Sequence, residues 1–324
     1  MNVTDSTADT NGSVGEGVFG IILAIWIIVS NATLIIGMLT EERRRRSTFC
    51  LHIVNLAVAD LLVGIVVVPI MADYLLKTSW MLGEDICQFW VITDILLCTV
   101  SILALLMLNC DRFMFITCTR IFYNSNAKYV LCSLMIMIPW VVGIFLVLPL
   151  WIMGSKHISR HEDLCQLVLK QDYRVVSIFV SFFVPAFFAV AMNISIVLMF
   201  CALRKRLQAH LSVQFGNPRV QIISLCLISV VFIVMWAPFF VFLFLISLSK
   251  DYMPPKALLS FAIWLGYANS AVNPVLWLVY PLVRDVYRRL LCCCRNEKKN
   301  ADTTDDEHKA SMVESRDDDD DVGL

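Results

Sequence analysis

"ICQFWVITDILLCTVSILALLMLNCDRFMF", residues 86–115, is long and apolar enough to cross a bilayer as one helix, yet it holds Asp94 toward one end and Asp111-Arg112 toward the other. An ionisable side chain at bilayer depth costs roughly 2.5–3.5 kcal/mol on insertion scales, so it is retained where it is paired or used. Asp94 and Arg112 are 18 residues apart. That is about five helical turns, which puts them on one face about 27 Å apart. The same face carries Cys98, Ser101 and Leu105, so it looks into a bundle of helices rather than at lipid.

The flanking sequence supplies that bundle. Of the 324 residues, 59% are hydrophobic and 16% charged, where soluble domains carry about 25% charged residues. Apolar runs able to span about 30 Å of hydrocarbon as helix recur near 17–40, 48–74, 86–112, 129–153, 175–203, 221–248 and 257–280. The fold expected is an all-α membrane protein: a seven-transmembrane helix bundle, with "PLVRDVYRRLL" as a short amphipathic eighth helix on the membrane surface. Residues 1–16 read as an extracellular N-terminal tail, 17–291 as the bundle with its eighth helix, and 292–324 as a disordered, acidic cytoplasmic tail.

Orientation follows from the basic residues. The N-terminal "MNVTDSTADTNGSVGEG" has no basic n-region, so it is not read as a cleaved signal peptide. Taking the side of Arg43, Arg44, Arg45 and Arg46 as cytoplasmic puts 19 of the 26 Lys and Arg inside. The N-terminus is then outside, and the expected location is the plasma membrane, multi-pass. Cys87 and Cys165 are the cysteines on the oxidising side, so a disulfide between them is expected. Asn2 and Asn11 head glycosylation sequons on the outer tail. Cys292, Cys293 and Cys294 follow the basic segment and suit palmitoylation, or stay as cytosolic thiols. No phosphate loop, metal-spaced His/Cys cluster or nucleophile and base pair occurs, so neither an enzyme nor a nucleic-acid partner is expected.

Two polar sets lie at bilayer depth. Asp94 needs a cation or hydrogen-bond donors. The nearest Lys and Arg (Lys77, Arg174 and Lys256) read as loop-edge residues. Its partner is therefore a cationic ligand, or else it is satisfied by hydroxyls and amides. Trp236, Phe239 and Phe240 in "MWAPFF", with Trp264 and Tyr267 in "WLGYANSAVNP", would suit an ammonium or serve as packing. Ser177 and Ser181 present two hydroxyls on one face. Asp60, Ser101, Asn269, Ser270 and Asn273 form the second set. They suit a sodium ion or water, or equally a hydrogen-bonded network between helices.

These residues carry a resemblance to the rhodopsin-like (class A) G-protein-coupled receptors over residues 17 to 292. One landmark falls in each span: Asn31 in "SNATLI", Asp60 in "NLAVADLL", Asp111-Arg112-Phe113, Trp140, Pro185, "WAPFF" and "NSAVNPVLW". Asp94, seven residues after Cys87, together with Trp264, Gly266 and Tyr267, looks aminergic. "FWVITDILLCTVS" and "PKALLSFAIWL" are most similar to histamine receptors of the third and fourth subtypes. The resemblance implies a small cationic amine on Asp94, surrounded by Ile95, Cys98, Ser177, Ser181, Trp236, Phe239, Phe240, Trp264 and Tyr267. It also implies an allosteric sodium ion at Asp60 as the one candidate cofactor. Transmission would run through Ile102, Pro185 and Phe232 to Arg112, where a heterotrimeric G protein, and arrestin as a further partner, would dock.

Departures accompany the resemblance. Phe113, Asn193 and Trp277, the last just after Asn273-Pro274, stand where the family has tyrosines. Pro218 stands where an acid often restrains the arginine, and Ser181 and Ile95 stand where those histamine receptors carry an acid and a tyrosine. The third cytoplasmic loop, about 206–219, is short for an amine receptor. Residues 257–280 hold no lysine for a retinal Schiff base. The alternatives kept open are an orphan, weakly signalling or constitutively active receptor-like protein of the same fold for a non-amine ligand and, from another class, a seven-helix transporter. No inverted repeat of broken helices favours the transporter.

Overall fold

The computed structural model describes residues 3–40, 47–117, 125–153, 165, 171–215, 218–249, 252–280 and 283–289, and of these the side chains of all but 3–13, 116, 117, 125, 153 and 203–221. Among the described residues every regular element is helical. α1 is Val3–Leu39. α2 runs Thr48–Leu62, a π turn Val63–Val67, then Val68–Lys77. α3 is Gly83–Thr117 and α4 is Ser125–Met153. α5 runs Gln171–Ile178, a π turn Phe179–Phe183, then Val184–Phe215. α6 is Pro218–Leu248, and α7 is Lys256–Leu276, tightened at its end by a 3₁₀ turn Trp277–Val279. A short α8 covers 283–289.

The solvent explains the architecture. Hydrocarbon offers no hydrogen bonds, so each crossing segment must satisfy its own backbone as helix. α1 to α6 are long and apolar enough to cross on length and composition alone. α7 falls short on composition because Asn269, Ser270 and Asn273 sit in its middle, and all three are buried. The outer surface is apolar like the core, and a set of polar side chains lies inside. Ile22, Ile25 and Trp26 of α1 and Phe187 of α5 face outward, while Asn31, Asp60, Asn109 and Asp111 are at most 1% exposed. In α8, Val283 and Val286 turn inward and Arg284, Asp285, Arg288 and Arg289 outward, the amphipathic pattern expected of that segment.

Both π turns precede a proline. A proline ring clashes with the carbonyl four residues back and gives that carbonyl no N–H. For Pro69 that residue is Ile65, and for Pro185 it is Ser181; each lies inside its π turn. Widening the turn relieves the clash without breaking the helix. At the far end of α2 the chain reverses through Thr78 (φ 57°) and Gly83 (φ +83°). The Trp80 indole N–H closes this reversal on the Gly83 carbonyl at 2.7 Å.

Side chains tie the helices together. Asn31 donates to the Ser270 carbonyl at 3.0 Å, α1 to α7. The Trp140 indole donates to Asn55 Oδ1 at 2.9 Å, α4 to α2. The expected disulfide joins Cys87, in the first turn of α3, to Cys165 in the segment after α4.

Two boundaries differ from expectation. α1 begins at Val3, inside the expected 1–16 tail. α5 reaches Phe215 and α6 starts at Pro218, so the expected 206–219 loop is mostly helix. Strong helix formers there, Arg204 to Ala209, extend the segment past the membrane. Asn11 lies on α1. Asn2, Arg43 to Arg46, Cys292 to Cys294 and the rest of 292–324 lie outside the described residues.

Small residues set the spacing of α1 against α2. A Cβ on Gly64 would stand 2.7 Å from Ile27 Cγ2. Gly64→Val is therefore expected to cost about 1–3 kcal/mol, read as a lower melting temperature in detergent. The double variant with Ile27→Ala should recover part of that loss.

Candidate functional site

Between α3, α5, α6 and α7, toward the disulfide end, lies a cavity of about 370 Å³. Its walls follow helical periodicity. α3 contributes Asp94, Ile95, Cys98 and Thr99; α5 contributes Arg174, Ser177, Ile178 and Ser181; α6 contributes Trp236, Phe239, Phe240 and Leu243; α7 contributes Ile263 and Tyr267. Met71 of α2 and Trp90 of α3 complete the lining. Nine of the ten residues expected around a ligand are thus together: Asp94, Ile95, Cys98, Ser177, Ser181, Trp236, Phe239, Phe240 and Tyr267.

Trp264 is the correction. It does not line the cavity but turns toward α1, where its indole N–H donates to Glu16 Oε2 at 3.2 Å and its ring meets Phe19 edge-on at 5.3 Å. Gly20 makes the room, since a Cβ there would lie 2.7 Å from that indole. Trp264 therefore backs Tyr267, ring centres 6.0 Å apart, rather than facing the cavity.

Asp94 is half-buried and opens onto the cavity. Cys98 donates to its Oδ1 at 3.4 Å, and Tyr267 lines the cavity with it. Arg174 corrects the expectation that no basic side chain lies at this depth. It is not a loop-edge residue, because α5 begins at Gln171 and carries it onto the cavity wall. Lys77 does stay at the edge, where it pairs with Asp73 at 2.9 Å.

At the cavity floor Trp236 lies on Gly266, where a Cβ would come 2.9 Å from the indole. Phe240 stacks on Phe182 at 4.6 Å. Ser181, held in the π turn, shares a 3.0 Å hydrogen bond with Thr99, both buried. Thr99 and Leu243 were missed in the sequence. Helical spacing of four residues from Ile95 and seven from Trp236 was the signal that could have found them.

Deeper in the bundle Asp60 is fully buried. Its Oδ1 accepts from Ser101 Oγ at 3.1 Å and Ser270 Oγ at 2.8 Å, and its Oδ2 accepts from Asn273 Nδ2 at 2.8 Å. Asn269 is buried with no hydrogen-bond partner at either Oδ1 or Nδ2. Ile102, Pro185 and Phe232 are all buried at mid-depth, and Pro274 is buried within α7.

At the opposite end Arg112 is 8% exposed. Its Nε donates to Asp111 Oδ2 at 2.9 Å, with a second contact from Nη2 to the same oxygen. Nη2 also donates to Thr48 Oγ1 at 3.3 Å. The guanidinium carbon stands 4.9 Å from the ring centre of Phe49 and 5.1 Å from that of Phe115. α2 and α3 thus hold the arginine. Phe113 packs half-buried beside the core. Asn193 donates to the Ala189 carbonyl of its own helix at 2.9 Å and accepts from Cys226 of α6 at 3.6 Å. Trp277 is 1% exposed and packs edge-on against Phe49 at 5.8 Å.

The whole stretch 30–277 matches the family described as "7 transmembrane receptor (rhodopsin family)". The chain belongs to that family. It is 29% identical over 271 residues to the histamine H2 receptor of Homo sapiens, covering 79% of this chain and 74% of that receptor. It is 24% identical over 316 residues to the alpha-1A adrenergic receptor of Oryzias latipes, covering 86% and 67%. With the "Probable G-protein coupled receptor No18" of Amphibalanus amphitrite it shares 28% over 362 residues, covering 90% and 94%. The aminergic group read from the sequence stands; these histamine relatives carry the name of the second subtype rather than the third or fourth. The family is one of receptors, and this multi-pass membrane protein is not an enzyme.

The receptor's Ser181–Thr99 bond makes a measurable link across the cavity floor. Ser181→Ala and Thr99→Ala should each lower stability by about 1 kcal/mol, since each leaves a buried hydroxyl unpartnered. The double variant should be clearly less destabilised than the sum of the two, as a melting-temperature cycle would reveal.

Proposed function

We propose that this protein is a plasma-membrane receptor, N-terminus outside, for a small cationic amine, and that it passes binding at Asp94 to a heterotrimeric G protein at Arg112. One observation carries the reading: a half-buried carboxylate opens into a cavity walled by Trp236, Phe239, Phe240 and Tyr267. An ammonium there would gain an ion pair and aromatic faces, each ring contributing roughly 0.5–2 kcal/mol. The relatives named for histamine and adrenergic ligands support the same class. Ser177 and Ser181, at the α5 wall, are positioned for a hydroxyl or ring nitrogen at the ligand's far end.

Signalling requires two states with different ligand affinity. The inward wall of the cavity is made by Trp236 and Phe240, which belong to the same packed core as Ile102 and Phe232. A ligand that repacks this wall biases the arrangement of α3, α5 and α6. The state that couples would be the one in which Arg112 leaves Asp111, Thr48 and Phe49 for the partner protein.

In cells expressing the chain, at least one biogenic amine should activate a G protein, and Asp94→Ala should weaken its potency about a hundredfold or more. Agonism that survives Asp94→Ala would sink the ion pair. High basal signalling with no responsive amine would favour the constitutive or non-amine reading instead.

A sodium ion at Asp60 is the second part of the proposal. The cluster is rich in hard oxygen donors, and the two unpartnered polar atoms of Asn269 support an additional guest there. Asp60, Ser101, Asn269, Ser270 and Asn273 would hold the ion, which would supply a counter-charge to the carboxylate. Replacing choline chloride by sodium chloride should raise the melting temperature by roughly a few degrees and weaken agonist binding. Asp60→Asn should abolish both effects; a variant that keeps them would place sodium elsewhere.

A further inference from the structure

The cavity holds charges of both signs. Arg174 occupies the same face of α5 as Ser177 and Ser181, at intervals of three and seven residues, and all three line the cavity with Asp94. The guanidinium Nε is itself buried. From the Ser181–Thr99 bond that joins the two walls, Asp94 stands five residues up α3, about 7–8 Å, and Arg174 seven residues up α5, about 10 Å. The two charges therefore sit at similar heights on facing walls, Arg174 slightly nearer the disulfide end.

A simple monoamine addresses only one of them. An ammonium matches Asp94, but such a ligand makes no use of the guanidinium on the opposite wall. Arginine has five N–H donors in a planar fork that fits a carboxylate in bidentate fashion. A contact with the protein through some of those donors leaves others for a ligand. Lysine would offer only a point charge in that place.

We propose that the site takes zwitterionic ligands, small amines that also carry a carboxylate, with the ammonium on Asp94 and the carboxylate on Arg174. This rests on the reading of Asp94 as the ammonium site and narrows the ligand class within it. The serines between the two charges then face the middle of the ligand rather than its end.

The test uses the full-length receptor in lipid nanodiscs and reads thermal stabilisation and competition binding. One probe set pairs aromatic amines (histamine, tyramine, dopamine) with the amino acids that yield them on decarboxylation, plus the methyl esters as controls that keep the ammonium and lose the anion. A second set is ω-amino acids of increasing chain length, which vary the separation of the two charges. On the wild type, an acid-bearing probe should bind at least about tenfold better than its amine or ester counterpart, a difference of about 1.4 kcal/mol. Arg174→Gln should bring that ratio close to one by weakening the acid-bearing probe, while the plain amine, relieved of a like charge across the cavity, binds as well or better; Arg174→Lys should keep part of the preference. Unliganded melting temperatures check that each variant is folded.

An amine that binds the wild type as well as its amino acid does, with no response to Arg174→Gln, overturns the proposal, as does failure of every probe to bind. Failure of the underlying Asp94 reading looks different: Asp94→Asn would then leave all affinities unchanged, while the Arg174→Gln comparison still reports on the acid.

Discussion

One carboxylate in a medium without water organises this bundle. Asp60 has no exposure, and each hydrogen bond it receives comes from another helix: Ser101 from α3, Ser270 and Asn273 from α7. An unpaired charge at that depth would be prohibitively costly, so α2, α3 and α7 are held in register by the need to satisfy it. Asn31 extends the tie from α7 to α1 through the Ser270 carbonyl. With that register set, Asp94, seven residues and two turns above Ser101 on α3, has to face the interior rather than lipid.

The cavity above this knot is shaped by prolines and missing side chains. Pro69 and Pro185 each widen the turn before them, and in α5 that widened turn carries Ser181 into reach of Thr99. Gly266 lets the Trp236 ring lie against α7, and Gly20 draws Trp264 away toward α1. What results is an apolar, aromatic-walled space with a carboxylate on one side and a guanidinium on the other. Among the described residues, every polar group around it is presented by a helix, so its geometry depends on helix rotation.

Much of this was legible in the sequence because membrane helices combine a long apolar run with strict periodicity. Asp94, Cys98, Ser177, Ser181, Trp236 and Phe240 could be placed on common faces from spacing, and Asp60 marked itself by the cost of its charge. Orientation within a face was harder. Trp264 and Tyr267 are three residues apart and look equivalent on a helical wheel, but a glycine on another helix decides which way the indole turns. Arg174 was misjudged because its depth depends on where α5 begins, and helix starts are poorly defined where no capping residue announces them. The extension of α5 and α6 beyond the apolar runs followed from local helix propensity, which a reading based on hydrophobic length does not weigh.

Phe49 is the least conspicuous of the residues around Arg112 and the most connected. One face lies 4.5 Å from the stacked ring of Tyr280, its edge meets Trp277 at 5.8 Å, and the guanidinium of Arg112 rests 4.9 Å from its centre. A side chain of α2 thus forms a shared wall between the end of α7 and the charged tip of α3. Displacing the last turn of α7 must move this ring or leave a void beside it, and moving the ring takes a cushion from the arginine. Arg112 is in this way packed to the end of α7 through the ring of Phe49, a contact that involves neither a bridging hydroxyl nor an acid.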